Sequence, residues 1–111
     1  MSTITALGVT QYLGVTTNAA NVAFAPSTTN TFRIVNTSPT ATLFVGVYND
    51  ATVAANIASP KSGGPYPGVV AIAPLWYETI SGNFGAQNQN TIYVAAVGTG
   101  TIDTFITPVQ I

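Results

Sequence analysis

Thr31-Phe32-Arg33-Ile34-Val35-Asn36 alternates in twos, with Phe32 and Ile34 on one face of an extended backbone and Thr31, Arg33 and Val35 on the other. That period, carried by β-branched and aromatic residues, predicts a half-buried strand. Asn36-Thr37-Ser38-Pro39-Thr40 ends it, because Asn and Ser bond their own backbone and Pro39 presets φ for a turn. Ala41-Thr42-Leu43-Phe44-Val45-Gly46-Val47-Tyr48 resumes the alternation and is expected to return antiparallel, as a hairpin with the first strand.

The same period recurs further along. Val69-Val70-Ala71-Ile72 and Leu75-Trp76-Tyr77-Glu78-Thr79-Ile80 are apolar runs split by Pro74, which cannot donate to a ladder and marks a bend or an edge. Thr91 to Val97, the turn Gly98-Thr99-Gly100 and Thr101 to Thr107 read as a closing hairpin. Between Asn49 and Gly68 the period fails, and a long irregular connection is expected. Its part from Ala51 to Ala58 could form a short helical turn, weakened by Thr52, Val53 and Asn56. A polar loop spans Ser81 to Asn90. Short strands with regular turns predict an all-β domain, a small antiparallel β-sandwich or barrel.

Residues 1–26 are different in kind. Leu7-Gly8-Val9-Thr10 recurs as Leu13-Gly14-Val15-Thr16, and only Val22 to Ala25 offers a compact strand. Two readings stay open: the first strands of the same domain, or an extended N-terminal arm that orders along a neighbour and buries Leu7, Val9, Leu13 and Val15 there. The expected organisation is therefore 1–26 as arm or first strands and 27–111 as the β-sandwich domain.

The 111 residues carry five formal charges, Arg33, Lys61, Asp50, Glu78 and Asp103, with no histidine and no cysteine. An ordinary domain has about a quarter charged residues. This deficit argues against most enzymes, and the missing cysteine excludes disulfides and thiolate metal sites. Two scattered cations cannot neutralise the phosphates of a DNA footprint, so nucleic acid is not an expected partner. Neither is a membrane, because no apolar run approaches the roughly 18 residues of a spanning helix. Met1 to Thr5 lacks a basic n-region and an apolar h-region, which predicts synthesis in a cytoplasm without a cleaved signal. A surface of Thr, Ser, Asn and Gln gives little like-charge repulsion and suits a protein packed against copies of something.

Two strands are apolar on both faces. Leu43, Val45 and Val47 oppose Phe44, Gly46 and Tyr48, while Ile92, Val94 and Ala96 oppose Tyr93, Ala95 and Val97. A lone sandwich meets its core with one face per strand, and no helical stripe is evident to cover the other. Cover by another subunit, in a homo-oligomer such as a trimer, is the expectation, with covering loops as the alternative. The candidate interface residues are Leu7, Val9, Leu13, Val15, Phe44, Tyr48, Trp76 and Tyr93.

Chemistry is sparse. Asp50, Glu78 and Asp103 could form a carboxylate pair, but two of them fall in strand or hairpin segments, and acid/base work needs two carboxyls in one groove with one pKa raised. Asn49-Asp50 lacks the spacing of a calcium loop, and the glycine pairs lack the Lys that follows in a phosphate loop. No catalytic residue, metal or cofactor is expected. Arg33 is expected to pair with Glu78 or Asp103. Trp76 and the tyrosines could stack on sugars, but cores and interfaces use the same residues as anchors, and packing is the favoured role. Adjacent in a strand, Trp76 and Tyr77 should point to opposite faces.

The segment Phe32-Arg33-Ile34-Val35-Asn36-Thr37-Ser38-Pro39-Thr40-Ala41-Thr42-Leu43-Phe44-Val45-Gly46, with Ile92-Tyr93-Val94 and Gly98-Thr99-Gly100-Thr101-Ile102, resembles a pattern of small β-sandwich virion proteins of tailed bacteriophages. There a strand ends in Val-Asn-x-Ser, an aliphatic and aromatic strand returns, and Ile-Tyr-Val with a Gly-Thr-Gly turn closes the domain. The likeness spans about residues 31–107 without the long loop. It implies a head decoration, or cement, protein on the capsid surface with the major capsid protein as partner and no catalytic residues. The alternative it implies is a tail or fibre component that binds a host-surface glycan or protein, with the 49–68 loop as recognition element.

Overall fold

A computed structural model describes residues 5–26, 31–57, 69–82, 84 and 89–110. Residues 58–68 of the long connection, with Lys61 and Tyr66, and residues 83 and 85–88 of the 81–90 loop lie outside the described residues. The elements in chain order are β1 (Thr5–Ala6), β2 (Gln11–Val15), β3 (Ala20–Phe24), β4 (Thr31–Asn36), β5 (Leu43–Tyr48), α1 (Ala51–Ala55), β6 (Val70–Ile72), β7 (Tyr77–Ser81), β8 (Ile92–Gly98) and β9 (Ile102–Gln110).

The strands form two antiparallel sheets packed as a sandwich, as the alternation predicts. Sheet A runs β2-β9-β4-β7, with β1 on the far end of β9, and sheet B runs β3-β8-β5-β6. Apart from β5 and β6, which pair within sheet B, successive strands from β2 onward switch sheets, so β2/β3, β4/β5, β6/β7 and β8/β9 are four arches. This strand order is that of an eight-strand jelly roll.

The two expected hairpins are therefore corrected. β4 pairs with β7 and β9, never with β5, and β8 pairs with β3 and β5, never with β9. Packing supplies the reason. In an arch the apolar faces of consecutive strands both turn to the core, so Phe32 and Ile34 of β4 share one core with Leu43 and Val45 of β5, all fully buried. In a hairpin those faces would lie side by side and need another layer. Phe24 of sheet B meets Phe32 of sheet A with ring centroids 4.7 Å apart, in the tilted geometry that aromatic pairs prefer.

The N-terminal segment is part of this sandwich. Leu13 and Val15 lie opposite Thr104 and Ile102 of β9 and are buried in the core, as is Phe24 of β3. Of the two readings for residues 1–26, the described part, 5–26, takes the form of first strands; an extended arm does not describe it. β9 runs as the central strand of sheet A, so β2 gains a full ladder by joining it.

Nor does the second face of sheet B await another subunit at its centre. Asp50 caps α1 by accepting from the backbone N–H groups of Thr52 (2.8 Å) and Val53 (3.3 Å). The capped turn places Ala54 and Ile57 on Tyr48 and Ala95, with Val53, Val69 and Tyr93 around them. Tyr48 lies over Gly46, where a Cβ would collide with its ring. The cover expected from a partner is thus supplied at this point by a helix of five residues.

Candidate functional site

Of the large apolar side chains that remain exposed among the described residues, Tyr12, Tyr77 and Phe105 lie in sheet A strands, Leu7 and Val9 between β1 and β2, and Leu75 and Trp76 in the turn that leads into β7. Residues directly opposite in antiparallel strands share a face. Tyr12 of β2 lies opposite Phe105 of β9, Phe105 opposite Val35 of β4, and Val35 opposite Tyr77 of β7. One row of side chains, Tyr12, Phe105, Val35 and Tyr77, therefore crosses the outer face of four strands. Trp76 extends it, its ring stacked on Tyr77 at 5.7 Å and 16°. At the other end Tyr12 meets Phe105 at 5.8 Å, tilted by 56°.

Polar rows flank this strip. On one side Thr107 and Thr79 lie opposite Arg33, and the Thr10 and Thr107 hydroxyls are 2.7 Å apart. On the other, Asp103 lies opposite Gly14, and its carboxylate accepts from the Tyr12 hydroxyl at 2.8 Å. The Asp103 carboxylate raises the Tyr12 phenol above its ordinary pKa, first by that hydrogen bond and then by its charge. Arg33 sits over the Tyr77 ring, 4.2 Å from the centroid, a cation–π contact in place of the expected ion pair with Glu78 or Asp103. A strand face with one cation and one anion results.

The Trp76 end is held rigidly. Asn36, at the end of β4, is buried, and its Nδ2 donates to the carbonyls of Ala41 (2.9 Å), Ile72 (3.1 Å) and Ala73 (3.2 Å). Its Oδ1 accepts from the Ser38 N–H, and its own N–H donates to the Trp76 carbonyl at 2.8 Å. Leu75, with φ of 57°, donates its N–H to the Ser38 carbonyl. A non-glycine residue in the left-handed region is strained, and it persists where surroundings over-determine it. Here it turns the chain so that Trp76 precedes β7 and lies beside Tyr77, which corrects the expectation that the two rings point to opposite faces.

The eight candidate interface residues divide three ways. Leu7, Val9 and Trp76 are exposed, Phe44 and Tyr93 are half-buried, and Leu13, Val15 and Tyr48 are buried in their own chain. The last three are corrected, because core packing and the α1 cover already occupy their surfaces. The sequence reading missed Phe105 and the alignment of Tyr12 with Tyr77, which only strand register reveals. The acids serve separate ends: Asp50 caps α1, Asp103 receives Tyr12, and Glu78 is exposed on β7. Among the described residues no group of three metal-ligating side chains gathers, and no helix is long and apolar enough to cross a membrane. No protein-family model, no curated protein and no solved structure matches the chain.

Proposed function

We propose that this chain is a structural protein of a tailed-bacteriophage virion, a head decoration protein that binds the major capsid protein and acts by adhesion. The observation that carries the reading is the exposure of large apolar groups on sheet A and in the segments that join its strands, on a chain with five formal charges. Exposed apolar groups on a surface poor in charge suit lasting contact with an ordered neighbour. The resemblance of the 31–46 segment and of the closing strands to small virion proteins supports the phage context. The jelly-roll topology is used by viral capsid domains among others, a likeness of architecture alone.

Attachment to the shell is assigned to Leu7 and Val9, which are 43 % and 77 % exposed between β1 and β2 at the edge of sheet A. An edge offers unpaired backbone as well as apolar surface to a neighbouring strand. Self-association into a trimer on the particle belongs to the same reading, although sheet B no longer argues for it.

Copy number in purified virions tests this. Quantitative mass spectrometry should find the chain at a level comparable to the major capsid protein. Leu7→Ser with Val9→Ser should release it from particles without changing its thermal unfolding. A handful of copies per virion would instead favour a tail or fibre component. That second reading has its own support, the exposed rings of Tyr12, Phe105, Tyr77 and Trp76, a surface that stacks on sugars as readily as on proteins.

A further inference from the structure

We infer that the row Tyr12, Phe105, Val35, Tyr77 and Trp76 is a binding strip for an uncharged polysaccharide lying across the strands of sheet A. The inference does not rest on the decoration reading, since a glycan-binding face can be carried on a head or a tail.

The shape of the strip selects the ligand. It is one side chain wide and crosses three inter-strand steps, about 14 Å. Such a strip is far from the roughly 800 Å² that each partner gives to a stable protein interface. Its long sides are polar: the Thr10, Thr107 and Thr79 hydroxyls and Arg33 along one, the Asp103 carboxylate and Tyr12 hydroxyl along the other. The matching ligand is a narrow chain, apolar on the face it lays down and hydroxylated along both edges. A pyranose polymer has that cross-section, its C–H faces resting on aromatic rings and its hydroxyls reaching sideways.

Charge narrows the class. Arg33 and Asp103, on opposite sides of the row, cancel, so an anionic chain gains one attraction and meets one repulsion. A neutral chain loses nothing. The strip is also preformed, because strand register fixes four of its members and the Asn36 hydrogen bonds fix the turn that carries Trp76. Little ordering entropy then opposes binding.

The chain contains a single tryptophan, and it stands in the strip, so its fluorescence reports occupancy directly. The intact protein should be titrated with soluble mannan, laminarin, dextran and hydroxyethyl cellulose, with hyaluronan as the charged comparator. At least one neutral polymer should shift Trp76 emission and retard the protein in affinity electrophoresis, with an affinity that added salt leaves unchanged. Trp76→Ala and Tyr12→Ala should each weaken that binding about tenfold or more. Tyr12→Phe should keep most of it, and Ala55→Ser, on the exposed side of α1, should keep all of it. Circular dichroism melts of the variants separate lost binding from lost folding. Failure of all four neutral polymers, preference for hyaluronan, or binding indifferent to both alanine substitutions would overturn the inference. So would sedimentation showing that the row holds two copies of this chain together and that Trp76→Ala separates them.

Discussion

The Asn36 carboxamide, at the end of a sheet A strand, donates to the carbonyl of Ile72, in a sheet B strand, over 3.1 Å. One buried side chain thus ties the two sheets together and fixes the turn that carries Leu75 and Trp76. Replacing Asn36 with alanine leaves the carbonyls of Ala41 and Ile72 and the Ser38 N–H without that partner. Each buried orphan costs about 1–3 kcal/mol. Asn36→Ala should therefore lower stability by at least about 3 kcal/mol in urea unfolding, and Trp76 emission should show loss of local order below the global transition.

Phe32 is fully buried against Phe24 of the opposite sheet. Phe32→Ala should cost about 3–5 kcal/mol, the transfer loss plus the cavity. A loss under about 1 kcal/mol would mean that the sheets close up around the gap or that the ring faces outward.

Thr104, on β9, is fully buried, and its hydroxyl finds no hydrogen-bond partner. A buried unsatisfied hydroxyl carries a desolvation cost that an isosteric methyl does not. Thr104→Val should raise stability by about 1 kcal/mol, read as a higher denaturant midpoint with unchanged slope.

The Tyr12–Asp103 contact predicts a sign at alkaline pH. Because the folded-state pKa of Tyr12 lies above its unfolded value, the folded protein holds this proton more tightly. The associated stabilisation is complete below the unfolded pKa and disappears as pH rises through the folded one. Asp103→Asn should lower the alkaline end of the phenolate absorbance titration and leave neutral-pH folding intact.

Deleting residues 1–20 should unfold the protein, since it removes β2 with the core residues Leu13 and Val15. A truncated chain with native circular dichroism and a cooperative melt would restore the picture of a separable arm.

The all-β class was legible because alternation in twos depends only on neighbours, and β4, β5, β8 and β9 all carry it. The pairing of those strands was not. Asn36 to Thr40 looks alike in a hairpin and in an arch, and the choice is made by β9, some seventy residues away, inserting between β2 and β4. Likewise α1 is too short and too rich in Thr and Val to announce itself, though Asp50 stood at its cap position. The strip was hidden for the same reason as the pairing: Tyr12, Val35, Tyr77 and Phe105 become neighbours only through register. The Val-Asn-x-Ser motif, noted as a resemblance, turns out to contain the buried hydrogen-bonding centre of the molecule.

The arches also set an order on biosynthesis. Sheet A is organised around β9 and sheet B around β8, so sheet B cannot close before residues 92–98 have been made, nor sheet A before residues 102–110. The N-terminal β2 must wait, unpaired, for residues 102–106. Pairings so distant in sequence place folding in the millisecond-to-second range typical of sandwiches. The strand edges of β2 and β4 therefore stay exposed until β9 has been made, the interval in which copies made side by side are most prone to pair with each other.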